Sequence, residues 1–588
     1  MLKRTHTCGK LRADNVGKTV TLNGWVDSYR HHGRLIFIDV RDHTGITQLV
    51  FDPDQGREIH DLAATYRRED VIAAQGKVVK RQSVNEKIPT GEIEIVVGKT
   101  ERLNKCAKPP ILPDEARDDT GAVSEDTRLR YRYIDLRRPR MQQIIRTRHK
   151  VTQTIRNTMT AMGFCEIETP VLCKSTPEGA RDFLVPCRLM PRTFYALPQS
   201  PQILKQILMM AGFDRYFQIV KCFRDENLRF DRQPEFTQLD VEMAFVEQDD
   251  VFAAFEQVIR TVWKELLSLE VGAIPRLTYE EVTNTYGSDK PDLRYGVKLF
   301  DVTAIAKKCD FRVFTSAIEG GGVIKAIAVP GAASFSRKQT DALGEWVKQF
   351  GAGGLPTTKV IAGGKLEGGI AKFVDGVSPE LIATLGAGEG DLLCFAADKI
   401  DVANRVLGEL RRKLAGELKL ADESKWSMFW VVDFPLFLWN EEDQRWDSAH
   451  HPFCAPRPEQ LHLLDTDPHK ITAQTYDFII NGHEMVSGSI RIHQPEVQQK
   501  IFQLLNISDE EAKDRFGFLI EAMSYGCPPL GGFALGLDRL IMLLCRTDNI
   551  RDVIAFPKTQ TGADLMMQAP ASVDQKQLDE LGLRLKPE

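Results

Sequence analysis

Between residues 1 and 108 apolar and polar positions alternate in short runs: Thr19-Val20-Thr21-Leu22, Leu35-Ile36-Phe37-Ile38-Asp39-Val40, Thr47-Gln48-Leu49-Val50-Phe51, Val71-Ile72-Ala73-Ala74 and Ile93-Glu94-Ile95-Val96-Val97. A period of two marks a strand with one buried face, so five strands are predicted. Five short strands in about a hundred residues fit a small closed OB-fold barrel, whose outer face takes single-stranded nucleic acid. Lys108-Pro109-Pro110-Ile111-Leu112-Pro113 and the acidic, glycine-containing stretch after it break the pattern and predict a hinge. From Arg137 the apolar spacing changes to near 3.6, with Ile144, Ile145, Val151 and Ile155, which predicts a helix ending by Gly163. Strands and helices then alternate to about residue 288. From 289 to 420 glycine pairs and one triplet accumulate and the run closes on an amphipathic helix, Val402 to Leu418. That stretch reads as a domain inserted into a catalytic domain that resumes near Trp426.

Composition sharpens this picture in two places. The chain has 588 residues and a net charge of -5, which excludes a small module and a uniformly basic nucleic-acid coat. Residues 1 to 108, however, hold 19 Lys and Arg against 14 Asp and Glu, while the remainder holds 58 against 68. A polyanion-binding surface is therefore expected at the N-terminus. The 11 cysteines are scattered singly with no CxxC pair, which predicts reduced thiols and no structural metal. No secretory pattern opens the chain, and its longest apolar run, Phe533 to Cys545, is interrupted by Asp538 and Arg539. A soluble, cytoplasmic protein is expected.

Three segments carry candidate chemistry. The first is a long-looped hairpin, Phe217 to Glu226 and Arg232 to Glu242, with Arg224, Glu226, Arg229, Arg232 and Gln233 crowded at its tip. Alternation puts Gln238, Asp240 and Glu242 on one face, which either meets solvent or lines a site. The arginine forks at the tip suit a phosphate. The second is a hairpin turning at Asn481-Gly482, in which Ile479 should oppose Glu484, so that Asp477 and Glu484 are diagonal neighbours about 7 to 8 Å apart. That spacing suits two carboxylates sharing a hard divalent ion, and a solvated face is the alternative. The third is Gly531 to Leu544, a glycine-rich strand entering a helix with Arg539 in its first turn. A cation there opposes the helix dipole unless an anion sits beside it.

Together these segments resemble the signature motifs of the class II aminoacyl-tRNA synthetases: Pro170 the dimer-interface motif, Phe223-Arg224-Asp225-Glu226 the second and Gly536-Leu537-Asp538-Arg539 the third. Thr176 to Asp182, Gln199 to Lys205, His450-His451-Pro452-Phe453 and Ser489 to His493 are similar to the bacterial aspartyl-tRNA synthetases, and the insertion resembles their extra domain. The resemblance implies a multidomain α+β fold: an anticodon-binding OB barrel at 1–108, a hinge at 109–140, a class II antiparallel-sheet catalytic domain at 141–288 and 421–560, an inserted α+β domain at 289–420 and a C-terminal extension at 561–588. It implies two steps, activation of L-aspartate by ATP with Mg²⁺ and transfer of the aspartyl group to tRNA(Asp), by a homodimer.

By the same resemblance, Arg224 and Arg539 are catalytic. ATP would be held by Arg224, Asp225, Glu226, Gln233, Glu484, Gly536, Leu537, Asp538 and Arg539. Aspartate would be held by Glu178, Gln202, Lys205, Arg224, Asp240, His450 and Arg491, with Lys205 and Arg491 reading its side chain. Asp477 and Glu484 would carry Mg²⁺, and Arg30, Phe37, Gln48 and Glu94 would read anticodon bases. Whether Phe37 stacks on a base or fills the barrel core is open from alternation alone. The chain departs from bacterial relatives at Met485-Val486-Ser487-Gly488, where consecutive glycines are usual, so side chains would stand where backbone normally approaches the substrate. His32 occupies a position that is commonly leucine in enzymes confined to tRNA(Asp); histidine resembles the relaxed subclass that also charges tRNA(Asn). The alternatives are an enzyme strictly specific for tRNA(Asp), an adenylate-forming asparagine synthetase paralogue, against which the barrel argues, and a nucleic-acid-binding regulator with an inactive synthetase fold, against which the intact arginines and carboxylates argue.

Overall fold

The computed structural model describes residues 1–113, 123–176 and 180–586. It divides into two units, Met1–Arg146 with Arg551–Ser572, and Thr147–Ile550 with Val573–Glu588. Among the described residues no helix is long and apolar enough to cross a membrane, and all 11 cysteines are unpaired.

The first unit contains the predicted barrel. Its strands are β1 (Thr19–His32), β2 (Leu35–Asp42), β3 (Gly45–Phe51), β4 (Val71–Lys80) and β5 (Ile93–Asn104), closed in the order β1-β2-β3-β5-β4. Alternation turns Val20, Leu22, Ile36, Ile38, Val40, Leu49 and Ile95 into one core. β1, β4 and β5 run well past the predicted segments. β1 is bulged between Val26 and Ser28, which breaks the alternation midway, and β5 shifts register twice against β4. A helix, Arg57–Ala64, joins β3 to β4 and packs Ala63 into the core; it was not predicted because it buries so little. At the base of the barrel the buried Glu69 accepts from Arg41, at 2.7 Å, and from Arg137, at 2.8 Å.

The second unit is organised by an eight-stranded sheet in the order Arg276–Thr278, Met428–Val432, Thr475–Ile480, His483–Ile490, Leu530–Gly536, Glu235–Ala244, Arg215–Phe223 and Cys165–Glu166. Only the two outermost pairings are parallel. One face is covered by the helix Gln248–Leu267, whose Phe252 stacks on Trp430 at 4.3 Å and whose Phe255 meets Phe478 at 4.8 Å and Phe533 at 5.3 Å. Alternation then sends Asp477, between Tyr476 and Phe478, to the other face. Between Phe300 and Asp398 runs a separate five-stranded antiparallel sheet with its own apolar clusters and a closing helix, Ile400–Glu417.

Candidate active site

The first hairpin forms as predicted, with Glu235 opposite Phe223 and Asp240 opposite Gln218. The face bearing Asp240 and Glu242 does not meet solvent: both carboxylates are fully buried. Such burial is tolerable only with partners. Lys205, from the helix Gln202–Met210, places Nζ 3.0 Å from Asp240 Oδ1 and 3.4 Å from Glu242 Oε2. Arg491 closes on Glu242 from the other side with two bonds, at 2.9 and 3.1 Å, and donates through Nη1 to Ser489 Oγ at 2.7 Å and His451 Nε2 at 2.9 Å. Gly532 makes room for this network, because a Cβ there would lie 2.2 Å from Glu242 Oε2. Burial works against the Arg491 charge, yet Glu242 more than offsets it and the net shift is upward. Burial raises the Asp240 carboxyl against the opposing pull of Lys205, and its Oδ2 has no hydrogen-bond partner among the described residues.

This network floors a cavity of about 470 Å³. Gln202, whose buried Nε2 is also unpartnered, Arg224, Glu226, Gln233, His450, Glu484, Gly536, Asp538 and Arg539 line it. Arg224 lies over the Phe236 ring at 5.1 Å, and its Nε is buried without a partner among the described residues. Arg539 occupies the first turn of the helix Leu537–Cys545, as predicted, and reaches Asp231 Oδ2 at 3.3 Å and the Glu484 carbonyl at 3.4 Å. Asp538 turns inward instead, pairing with Arg148 and accepting from the Thr237 N–H at 2.7 Å, so it braces the cavity wall.

The second hairpin needs one correction. Ile479 opposes Glu484 as expected, but a bulge follows and Asp477 opposes Ser487 rather than Val486. The Asp477 and Glu484 carboxylates nevertheless act on each other: burial first and the Glu484 charge second hold the Asp477 carboxyl well above the usual carboxylate range. Ser487, one of the residues replacing the usual glycines, lines the cavity and hydrogen-bonds that carboxyl. His450 Nε2 stands 3.9 Å from Asp477 Oδ1, and burial pushes this histidine down.

Other predicted residues lie elsewhere. Asp225 stays outside the cavity, paired with Arg181 at 3.6 Å, and Leu537 is buried beneath the helix. Glu178 lies outside the described residues. Glu242, His451 and Lys290 belong to the site although no role was assigned to them from sequence; alternation placed only Glu242 on the correct face. On the barrel, Arg30 donates to Gln48 Oε1 at 3.0 Å, Gln48 donates to Glu94 Oε2 at 2.7 Å, and Arg30 faces Phe37 across β1 and β2. Phe37 points away from the core that its neighbours Ile36 and Ile38 fill, so the core alternative falls. His32 ends β1, exposed beside Gly33.

An antiparallel sheet carrying an arginine-rich hairpin, a carboxylate hairpin and a glycine-to-arginine helix start, in a chain that also holds an OB barrel, defines a class of enzyme. Residues 124–560 match the family described as tRNA synthetases class II (D, K and N), and residues 20–103 match OB-fold nucleic acid binding domains. The chain belongs to the class II tRNA synthetases. It is 51% identical to an aspartate–tRNA ligase of Bacillus licheniformis, over 100% of this chain and 99% of that one. It is 50% identical to an aspartate–tRNA(Asp/Asn) ligase of Desulfatibacillum aliphaticivorans, over 100% and 98%. Among solved structures it matches the asparaginyl-tRNA synthetase of Pyrococcus horikoshii in complex with asparaginyl-adenylate, with a TM-score of 0.59 at 18% identity and 95% and 99% coverage, a likeness of fold.

Proposed function

We propose that this chain is an aspartate–tRNA ligase that activates L-aspartate with ATP and transfers it to tRNA(Asp) and also to tRNA(Asn). The observation that carries the reading is the cavity floor, where Lys205 and Arg491 lie among Asp240 and Glu242 with Asp240 Oδ2 and Gln202 Nε2 left unpartnered. Such a floor suits a ligand bearing both an ammonium and a second carboxylate. Asparagine would offer an amide where the site expects a charge, and a desolvated cation left short of its partner costs several kcal/mol.

In the first step an oxygen of the aspartate α-carboxylate attacks the α-phosphorus of ATP, and the bond to pyrophosphate breaks. Arg224 bridges the two anions that must approach, while Arg539 binds the γ-phosphate; catalysis is placement and charge stabilisation, with no covalent enzyme intermediate. Glu226 and Gln233 hold adenosine. Asp477 and Glu484 suit Mg²⁺, because Asp477 Oδ1 is buried with no hydrogen-bond partner among the described residues, beside a second carboxylate. The ion, when bound, would supply charge neutralisation on phosphate oxygens. In the second step a terminal ribose hydroxyl of tRNA attacks the aspartyl carbonyl and AMP leaves.

The anticodon is read at Arg30, Phe37, Gln48 and Glu94. We assign the barrel to 1–108, the hinge to 109–140, the catalytic parts to 141–288 and 421–560, the inserted domain to 289–420 and the extension to 561–588. The enzyme works in the cytoplasm as a homodimer; the exposed Val171 and Leu172 beside Pro170 support an interface there. Aspartate-dependent exchange of pyrophosphate into ATP, followed by charging of tRNA transcripts, tests the activity. Failure of both would leave only a binding module.

A further inference from the structure

The segment that enters the inserted domain carries a cation that none of these roles uses. Lys290 lines the cavity, with Nζ 3.2 Å from Glu484 Oε2 and 3.9 Å from Asp289 Oδ2. Its side chain is 45% exposed, and a pair so open contributes less than about 1 kcal/mol to folding. Stability therefore does not account for how firmly this segment is held. A Cβ on Gly287, at φ +70°, would lie 2.2 Å from the Asn404 carbonyl oxygen, and one on Gly408 would lie 2.2 Å from that of Gly287. The backbone before Lys290 is thus laid directly on the helix Ile400–Glu417. The buried Arg411 of the same helix donates to the carbonyls of Asp292, at 2.7 Å, and Val297, at 2.6 Å, and lies over the Tyr295 ring at 4.2 Å. On its other side Asp292 abuts the turn of the carboxylate hairpin, where a Cβ on Gly482 would come within 3.0 Å of Asp292 Cβ. Lys290 is gripped between the inserted domain and the hairpin bearing Asp477 and Glu484.

We propose that Lys290, which lies against Glu484 at the cavity wall, is a further phosphate-binding residue, presented by the inserted domain, whose ammonium contacts the β- and γ-phosphate oxygens when ATP binds. This rests on the ligase reading above. Arg539 reaches the Glu484 carbonyl, so Lys290 and Arg539 flank the same residue, and the flexible four-carbon stem of a lysine gives its ammonium several ångströms of reach. Beside Glu484 the ammonium offsets the carboxylate charge. With nucleotide bound it exchanges a carboxylate for phosphate oxygens, keeps its proton, and partners the charge that builds on pyrophosphate as the bond from the α-phosphorus breaks. The inserted domain would then serve the chemistry by holding this one cation in place.

Three measurements on the full chain test the proposal. Titration calorimetry with ATP in Mg²⁺, without aspartate, should show about tenfold weaker binding for Lys290→Ala and substantial recovery in Lys290→Arg. Pyrophosphate exchange should show KM for ATP and pyrophosphate raised by a similar factor and KM for aspartate within twofold of wild type. Electron paramagnetic resonance with Mn²⁺ alone should show tighter binding to Lys290→Ala, because Glu484 loses a competing cation. Gly408→Ala, if folded, should weaken ATP binding without adding to Lys290→Ala in the double variant. Unchanged ATP affinity in Lys290→Ala, or equal losses for ATP and aspartate, overturns the proposal while wild-type exchange keeps the ligase reading standing; absence of wild-type exchange overturns both.

Discussion

The outer face of the barrel and the floor of the catalytic cavity are built from the same groups, cations tied to carboxylates and amides, at opposite degrees of burial. Arg30 on the barrel has a side chain 55% exposed, whereas none of Lys205, Asp240, Glu242 and Arg491 exceeds 2%. On the barrel the Arg30–Asp39 pair is open to water, so a base that displaced Asp39 from Arg30 would lose little, and affinity would have to be summed over many weak contacts. In the cavity the desolvation of each ion has already been imposed by folding, and a ligand of the wrong charge leaves a group unpaired at several kcal/mol. One surface is built to be adaptable and the other to reject.

The largest expected effect breaks the buried side. Arg491→Leu removes the two-bond partner of a fully buried Glu242 and leaves it only Lys205, so loss of about 3 to 5 kcal/mol of stability is expected in denaturant unfolding. Aspartate-dependent exchange should fall by more than about a thousandfold, while tRNA binding by the barrel changes less than twofold in variant that remains folded. A stability loss below about 1 kcal/mol would mean that this network is not desolvated.

On the exposed side, Phe37→Ala should weaken tRNA binding by about 1 to 3 kcal/mol, the range of one base stacked on an aromatic ring, and leave exchange untouched. Filter binding at two salt concentrations checks it. Because no charge is removed, the salt dependence should match wild type, and a changed slope would relocate the effect to the phosphate backbone.

The same contrast governs what could be read from sequence. The barrel strands were legible because alternation is local, and so was the polar face of Asp240 and Glu242. Which charges meet on that face was not: Arg491 reaches Glu242 across 249 residues and Lys290 reaches Glu484 across 194. The bulge opposite Phe478 escaped because a tight turn fixes register only at the turn, and one inserted residue shifts the pairing beyond it. The inward turn of Asp538 depends on Arg148, which belongs to a helix far away in sequence. Local pattern yields faces, and tertiary contact decides partners.

Smaller in size is the pH dependence of the floor. His451 is held well below its ordinary value by burial first and Arg491 second, and its Nε2 accepts from the Arg491 guanidinium, which opposes a second proton on the ring. The unfolded chain takes up this proton near pH 6.5 while the folded one does not. The stability this group contributes is therefore complete above about 6.5 and is lost as pH falls below it, with a slope of about 1.4 kcal/mol per unit. His451→Gln keeps an acceptor for Arg491 and should remove that part of the slope in unfolding between pH 6.5 and 5.5. An unchanged slope would mean that His451 is protonated in the folded state.

The smallest expected effect concerns which tRNAs are charged. The anticodons for aspartate and asparagine differ only at the final base, so discrimination must come from the few barrel residues near it. His32 ends β1 opposite Leu35, exposed, in the tight turn that Gly33 makes with φ +61°. An imidazole presents both a donor and an acceptor and can meet either base, whereas leucine presents neither and leaves one of the two bases better served by the residues around it. Relatives of about equal identity carry both names, aspartate–tRNA ligase and aspartate–tRNA(Asp/Asn) ligase, so overall similarity does not decide the matter and a local feature must. His32→Leu should raise the preference for tRNA(Asp) over tRNA(Asn) by about tenfold, roughly one hydrogen bond's worth of discrimination, without altering exchange. Charging of both transcripts by wild type and variant measures it. A wild-type preference for tRNA(Asp) already above about a hundredfold, and unchanged in His32→Leu, would show that this histidine does not relax specificity and that the barrel reads the final base elsewhere.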